Sequence, residues 1–343
     1  MNKPGSALIR LLSRLAAGLV LFGMAGWGAL AIFYSGAESA AWRTTLAAGF
    51  GLLGLAAIAG LAGRYWHWGR NALAGFLAAF AVVLAWYSQI KPSNSREWQP
   101  DVARLSTAEI NGDFVTVRNI RNFDYRTETD FTLRYYDKTY DLRQLSSVDL
   151  VSVYWAGPAI AHVFLSFGFD DREYLAISIE TRKERGESYS AIKGFFKQYE
   201  LYYAVADERD VIRVRTNFRN PEEQVYLYRT RISTENARLL FLDYLRSMNQ
   251  LVKQPEFYNA LTDNCTTNIL LHTRGFPNKL HYHWKVLLSG YAGEYLYTLG
   301  GLDTSLPFEE LKRRSLINGR AHEADGSNEF SRRIRQGLQM PAP

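Results

Sequence analysis

Cys265 is the sole cysteine of the chain, and it stands in Asp263-Asn264-Cys265-Thr266-Thr267-Asn268, where a polar turn gives way to the apolar run Ile269-Leu270-Leu271. With Asp263 or Asn264 as N-cap, its sulfur falls in the first turn of a helix, where unpaired amide N–H groups and the macrodipole favour thiolate. A disulfide would need a second cysteine, and metal sites seldom rest on one thiolate without nearby His or carboxylate ligands. Two readings stay open: a nucleophile, or the buried small hydrophobe that a free cysteine often is.

A nucleophilic thiol needs a base, and the chain offers six histidines. His67 lies between apolar stretches and His322 in a polar tail. His162 stands in Ala161-His162-Val163-Phe164-Leu165-Ser166-Phe167-Gly168-Phe169, which reads as a strand with Val163, Leu165, Phe167 and Phe169 on one face and His162, Phe164 and Ser166 on the other. Tyr174 to Glu180 repeats the pattern, with Leu175, Ile177 and Ile179 buried and Ser178 and Glu180 opposite, and Asp170-Asp171-Arg172 reads as the hairpin turn. The two apolar faces coincide only in an even register. A three-residue loop then pairs Phe167 with Leu175, Leu165 with Ile177 and Val163 with Ile179, which sets His162 opposite Glu180; a five-residue loop sets Arg182 there instead. The first register supplies a base with an orienting carboxylate. The alternative is a strand histidine that is merely solvated.

Histidine precedes cysteine by about a hundred residues, the reverse of the ordinary papain order. Circularly permuted papain-like proteins have this reversed order, and roles are set by geometry rather than by chain order. Four motifs in succession, Asn119 to Tyr125, His162 to Phe169, Ser178 to Lys183 and Asp263 to Thr267, resemble the periplasmic-domain family of the Lnb-type lipoprotein N-acyltransferase over about residues 95 to 335. The resemblance implies acyl transfer by a membrane-associated cysteine enzyme, in which a phospholipid acyl chain passes through a thioester to the amino group of a lipoprotein's diacylglyceryl-cysteine. The chain departs from the family's namesake in carrying its apolar spans ahead of the domain. The roles expected are Cys265 as nucleophile, His162 as base and Glu180 as its orienter. Asn264, Asp263 and Tyr258 are expected to shape the oxyanion site beside the Cys265 amide, with Ser178 and Arg182 as further substrate-binding candidates. Two rival functions use the same residues: a cysteine peptidase or amidase acting on peptidoglycan or peptides, and a non-catalytic membrane scaffold.

The elements that must position these groups are of two kinds. The chain has 343 residues and a net charge of +6, and its front is nearly uncharged. Leu15 to Phe33, Thr44 to Gly63 and Ala72 to Ile90 contain no charged residue, and each is long enough for a hydrocarbon core of ~30 Å. Residues 1–90 are therefore expected to form three transmembrane helices, 91–98 a linker and 99–343 the catalytic domain. Lys3, Arg10 and Arg14 before the first span and Arg64 and Arg70 between the second and third outweigh Arg43, which puts the N-terminus in the cytoplasm and the domain in the periplasm of a multi-pass inner-membrane protein.

In the domain, alternation suggests strands at Phe114 to Arg118, Ser147 to Tyr154 and Val225 to Arg229, and a second hairpin from Glu200 to Val205 and Val211 to Thr216. Ser233 opens a helix with Ala237, Leu240, Phe241, Tyr244, Leu245 and Met248 on its apolar face. The cysteine helix should run to about Thr273 and stop at Gly275 and Pro277. The fold class is α+β: three membrane helices, then a circularly permuted papain-like domain with an antiparallel sheet. His272, His281 and His283 share no recognised zinc spacing with a carboxylate or second cysteine, so no metal or other cofactor is expected. Lys312-Arg313-Arg314 and Arg332-Arg333-Ile334-Arg335 read as solvated helix faces. The expected partners are a phospholipid acyl donor, a lipoprotein or other amine acceptor and the membrane, with no nucleic acid.

Overall fold

A computed structural model describes residues 4–36, 39–62, 66–155, 157–276 and 280–338, so Lys3, Arg64 and Pro277 lie outside the described residues. The chain divides into two compact units, residues 1–92 with Ser190–Gln198, and Ser93–Tyr189 with Tyr199–Pro343.

The first unit holds α1 (Pro4–Ser35), α2 (Ala40–Ala62) and α3 (Trp66–Gln89). All three are long and apolar enough to cross a membrane. Small residues let them approach closely: a Cβ added to Gly60 would lie 2.5 Å from Gly69 Cα, so neither glycine tolerates a side chain without the helices separating. Lys197, in the loop belonging to this unit, donates to the carbonyls of Tyr87 and Ile90 at 2.8 and 3.0 Å and so caps the end of α3.

Among the described residues the second unit has ten strands: β1 (Thr107–Asn111), β2 (Phe114–Arg121), β3 (Asp124–Tyr125), β4 (Phe131–Thr132), β5 (Tyr135–Asp141), β6 (Leu145–Tyr154), β7 (Ala161–Phe169), β8 (Glu173–Arg182), β9 (Glu200–Ala206) and β10 (Gln224–Arg229). Its helices are α4 (Glu208–Val211), α5 (Thr234–Lys253), α6 (Cys265–His272), α7 (Trp284–Leu287), α8 (Ala292–Thr298), α9 (Phe308–Ser315), α10 (Asn318–Glu323) and α11 (Phe330–Arg333). Eight strands make one sheet in the order β1-β2-β9-β8-β7-β6-β10, with β5 also on β2; β3 and β4 pair separately. The sheet is antiparallel except where β2 meets β9. This is the expected α+β class, with one parallel join in the sheet.

Along β7 and β8 the observed pairing runs from Leu165↔Ile177 to Phe169↔Glu173, which is the register of a three-residue loop. Asp170 and Asp171 adopt positive φ in that loop, a conformation Asp tolerates better than most residues. The apolar face of both strands packs on α5, whose Ala237, Leu240, Phe241, Tyr244, Leu245 and Met248 are all buried as the three-and-four spacing requires. Ser233 caps that helix by accepting from Asn236 N.

The other face is not solvated. Phe164, Val151, Val153 and Ala176 form a second core with Val211, Ile212, Ile317, Phe330 and Ile334, so the sheet is covered on both sides. This corrects two sequence expectations. Val211 to Thr216 is not a strand: Asp207 accepts from Arg209 N and starts α4, and a π-turn over Val214–Phe218 follows. The helical path turns the fully buried Glu208 and Asp210 toward Arg335 and Arg121. Arg335, expected on a solvated face, is also buried, and its Nη2 lies 2.8 Å from Asp149 Oδ2 and 2.6 Å from Glu208 Oε1.

Breaking a buried ion cluster strands charges in a low-dielectric interior, at ~3–5 kcal/mol. Arg335→Met should therefore sharply lower the melting temperature of the detergent-solubilised chain, whereas Arg332→Met, which breaks an exposed pair with Glu329, should scarcely change it. Equal melting temperatures for the two variants would contradict the two-core description.

Candidate active site

Helix α6 begins where its sequence says it must. Asn264 Oδ1 accepts from Thr266 N at 3.0 Å and Thr267 N at 2.9 Å, and Thr267 Oγ1 accepts from Asn264 N at 2.9 Å, a complete capping box. Cys265 is thus the first helical residue, 8% exposed. The helix ends at Thr273, whose N–H returns to the carbonyls of Leu270 and Leu271.

Opposite it, the start of β7 is clamped. Ser289 Oγ accepts from Ala161 N at 3.0 Å and donates to Ala161 O at 2.6 Å, and Gly290 N donates to Ala159 O at 3.0 Å. The same segment holds the cysteine helix, through Thr266 Oγ1 to Val286 O at 2.6 Å. One stretch of chain, residues 284–290, therefore braces both the residue after Cys265 and the residue before His162.

Between these braces Cys265 and His162 come close enough to shift each other's protonation, and the backbone amides of Val163 and Thr266 act on the sulfur in the same sense. His162 Nε2 lies 2.6 Å from Ser178 Oγ, and Ser178 Oγ donates to Glu180 Oε1 at 2.8 Å. The direct separation from His162 Nε2 to Glu180 Oε1 is 3.4 Å. With its hydroxyl proton given to the carboxylate, Ser178 accepts from Nε2–H, which leaves Nδ1 as the unprotonated ring nitrogen. The carboxylate therefore orients the imidazole mainly through the serine. Arg215 Nη2 completes the set at 3.2 Å from Glu180 Oε1.

Electrostatics follow from this packing. Burial pushes the Cys265 thiol up, but the nearby His162, with the Val163 and Thr266 amides, outweighs it and leaves the pKa below that of an ordinary cysteine. Burial likewise opposes the imidazolium, yet Cys265 and Glu180 raise the His162 pKa while Arg215 works against them. Burial also disfavours ionised Glu180, but His162 and Arg215 hold its pKa well below the usual carboxylate range.

The other expected residues divide. Tyr258 is buried near Cys265, where burial and then the thiolate charge raise its phenol pKa. Asn264 adjoins the sulfur, but its amide is engaged in the cap and in a bond to Ala260 O at 2.9 Å. Asp263 is half-buried and accepts from Thr262 Oγ1 at 2.5 Å. Arg182 is a correction: the alternative register that would have set it across from His162 does not occur. It is buried elsewhere, donating to Val102 O at 2.9 Å and Ala103 O at 2.8 Å and stacking 4.2 Å over Trp98.

His272 is held by Asp243 and Tyr203 at 2.7 Å each, and His283 caps α7 and stacks on Tyr295. Among the described residues no group of three His, Cys, Asp or Glu side chains could hold a metal ion. Two surface cavities of about 210 and 530 Å³ are lined by neither Cys265 nor His162. The sequence reading missed Arg215, because a strand over 211 to 216 gave no reason to aim it at Glu180, and it missed the brace at 284 to 290, whose contacts are mostly backbone.

Residues 131–291 match the family model described as the Lnb N-terminal periplasmic domain. The matched span contains His162, Ser178, Glu180, Arg215 and Cys265, and excludes the Asn119 to Tyr125 motif. No curated protein and no solved structure matches the chain. With three membrane-length helices ahead of it, the match makes this a bacterial membrane protein with a periplasmic domain.

Two outcomes are expected. The Cys265 pKa is depressed and that of His162 raised, so the pair favours thiolate and imidazolium more than either group alone would; the thiolate is lost as pH falls through the first value and the imidazolium as pH rises through the second. Iodoacetamide should alkylate Cys265 in the full chain with a lower inflection below the ordinary ~8.5 of a free thiol, and His162→Ala should move it up to that value or higher; an unmoved inflection would contradict the pairing. A Cβ at Gly290 would sit 2.1 Å from Pro158 O. Gly290→Ala should therefore push the brace off β7, destabilise the domain by ~1–3 kcal/mol and slow alkylation at pH 7, and unchanged melting and alkylation would show that the brace does not position the pair.

Proposed function

We propose that this chain, whose residues 131–291 carry the Lnb N-terminal periplasmic domain, is a membrane-anchored cysteine acyltransferase. It would move an acyl chain from a phospholipid through a Cys265 thioester to an amine such as the N-terminal cysteine of a lipoprotein. The observation that carries the reading is the pairing of Cys265, at a helix start, with His162, each shifting the other's protonation, with Ser178 and Glu180 behind the imidazole.

In the first half-reaction the Cys265 thiolate attacks the ester carbonyl. The acyl C–O bond breaks and the departing glycerol oxygen takes the proton from His162, leaving a thioester and a lysophospholipid. In the second, the acceptor amine attacks the thioester and the C–S bond breaks. His162 takes the amine proton and again supports the sulfur as thiolate. The amide of Cys265 is one of the first N–H groups of α6, which have no intrahelical acceptor, and it serves the oxyanion together with the dipole of the helix start. Tyr258, buried near Cys265, is the side chain we propose to assist.

Apolar residues around the brace favour a lipid donor over a peptide. Ile160, next but one to His162, is 40% exposed, and Trp284 and Leu288 of the bracing segment are 53% and 36% exposed. The basic residues Arg10, Arg14 and Arg70 against Arg43 support an inner-membrane, multi-pass arrangement with the N-terminus in the cytoplasm. The order of strand histidine, carboxylate strand and late cysteine helix supports a circularly permuted papain-like domain.

The test is mass spectrometry of the purified full chain after exposure to vesicles of bacterial phospholipid. A hydroxylamine-sensitive acyl adduct on Cys265, absent in Cys265→Ala, is expected. No adduct with any phospholipid, together with Cys265-dependent cleavage of muropeptides, would replace the transferase by a peptidase or amidase; neither adduct nor cleavage would leave a scaffold.

A further inference from the structure

We propose that Arg215 and Glu223 are a positioning pair for the Cys265 and His162 chemistry, in which Arg215 fixes Glu180 against Ser178 and Glu223 moderates how strongly its charge is felt at the imidazole. The inference rests on the reading of that pair as the working site.

A single oxygen, Glu180 Oε1, is the junction. It accepts from Ser178 Oγ at 2.8 Å and from Arg215 Nη2 at 3.2 Å, and it lies 3.4 Å from His162 Nε2. Arg215 reaches it from the π-turn over Val214–Phe218, a local widening of the helix of the kind that often re-aims side chains at functional sites. Its other arm, Nη1, is 3.4 Å from Glu223 Oε2, and Arg215 and Glu223 are 9% and 7% exposed. The buried Arg215 Nε has no acceptor among the described residues, so within them the guanidinium nitrogens are oriented by two carboxylates. A buried ion pair is weak evidence for a purely stabilising role, since apolar residues of similar volume commonly do as well. Aimed at the carboxylate that holds a base, it sets a charge.

The two partners act on His162 in opposite directions. Glu180 favours the imidazolium, and Arg215, a cation behind it, disfavours it. Glu223 draws part of the field of Arg215 away from His162. The remaining charged and titratable groups facing the junction are Cys265 beyond the imidazole, Arg121, which is neutralised by Asp210 at 2.9 Å, and the buried Tyr202. Arg219 lies 3.9 Å from Glu223 and is itself paired with Glu128 at 2.7 Å. Neither paired arginine competes closely for Glu180.

The pH profile of Cys265 alkylation in the full chain separates this role from a structural one. The upper inflection, identified by its loss in His162→Ala, reports the imidazolium. Arg215→Gln should move it up and Glu223→Gln should move it down, each by about half to one pH unit, while Arg215→Lys keeps the charge and leaves it near the wild-type position. Shifts of opposite sign from removing two mutual partners are not produced by loosened packing. Unmoved inflections, or shifts of the same sign, would overturn the proposal. If Arg215→Gln fails to fold, the downward shift in Glu223→Gln with a fixed value in Arg215→Lys remains required. A wild-type profile with no His162-dependent inflection would instead sink the reading of the Cys265 and His162 pair itself.

Discussion

The closeness of Cys265 and His162 is the constraint around which the periplasmic domain is arranged. Each side chain is largely withdrawn from water, and withdrawal alone would leave both neutral: a protonated thiol and an uncharged imidazole. Together each supplies the charge that the other needs, and a low local dielectric makes that exchange stronger than it would be at the surface. The amides of Val163 and Thr266 add to the sulfur's share, and the Ser178 and Glu180 relay fixes the tautomer. Moving either residue by an ångström would return both to ordinary, unreactive side chains.

Holding two groups from distant parts of the chain at that separation requires rigid supports on both sides. On one side, β7 lies inside a sheet whose two faces are buried, so its register cannot slip without exposing one core or the other. On the other, α6 is fixed by its capping box and by Thr266. The segment at 284 to 290 ties them together through Val286, Ser289 and Gly290. The second core depends in turn on Arg335, Asp149 and Glu208, a charged cluster from three distant parts of the chain. The supports are thus local in kind, being caps, backbone clamps and ion pairs, while the site they create is not local at all.

Much of this was legible in the sequence because it follows from short-range periodicity. Alternation along Val163 to Phe169 and Leu175 to Ile179, with two aspartates at the turn, narrows the β7 and β8 register to two, and the one that occurs is that of the three-residue loop, which puts Glu180 near His162. Asn264 before Cys265, and the three-and-four spacing after Ser233, define helices that the structure contains. The failures are of another kind. Arg335 sits in a run of arginines that looks solvated, and only the distant Asp149 and Glu208 explain its burial. Val211 to Thr216 alternates like a strand, but Asp207 caps a helix there and buried acids decide the outcome. Ser166 and Phe164 looked like a polar-facing row because the helices covering them come from the end of the chain. Arg182 was set across from His162 by one of two permitted registers, and its actual partners, the Val102 and Ala103 carbonyls, Asn94 and Trp98, lie some eighty residues earlier in the chain.

The most direct measurement of the central contact is covalent bridging of thiol and imidazole. Dibromoacetone, whose two reactive carbons span only a few ångströms, should alkylate Cys265 in the full chain and then close onto His162, giving a cross-linked peptide pair by mass spectrometry that is absent in Cys265→Ala and His162→Ala. A single-ended adduct on Cys265 with no bridge, or a bridge to His272 instead, would contradict the account.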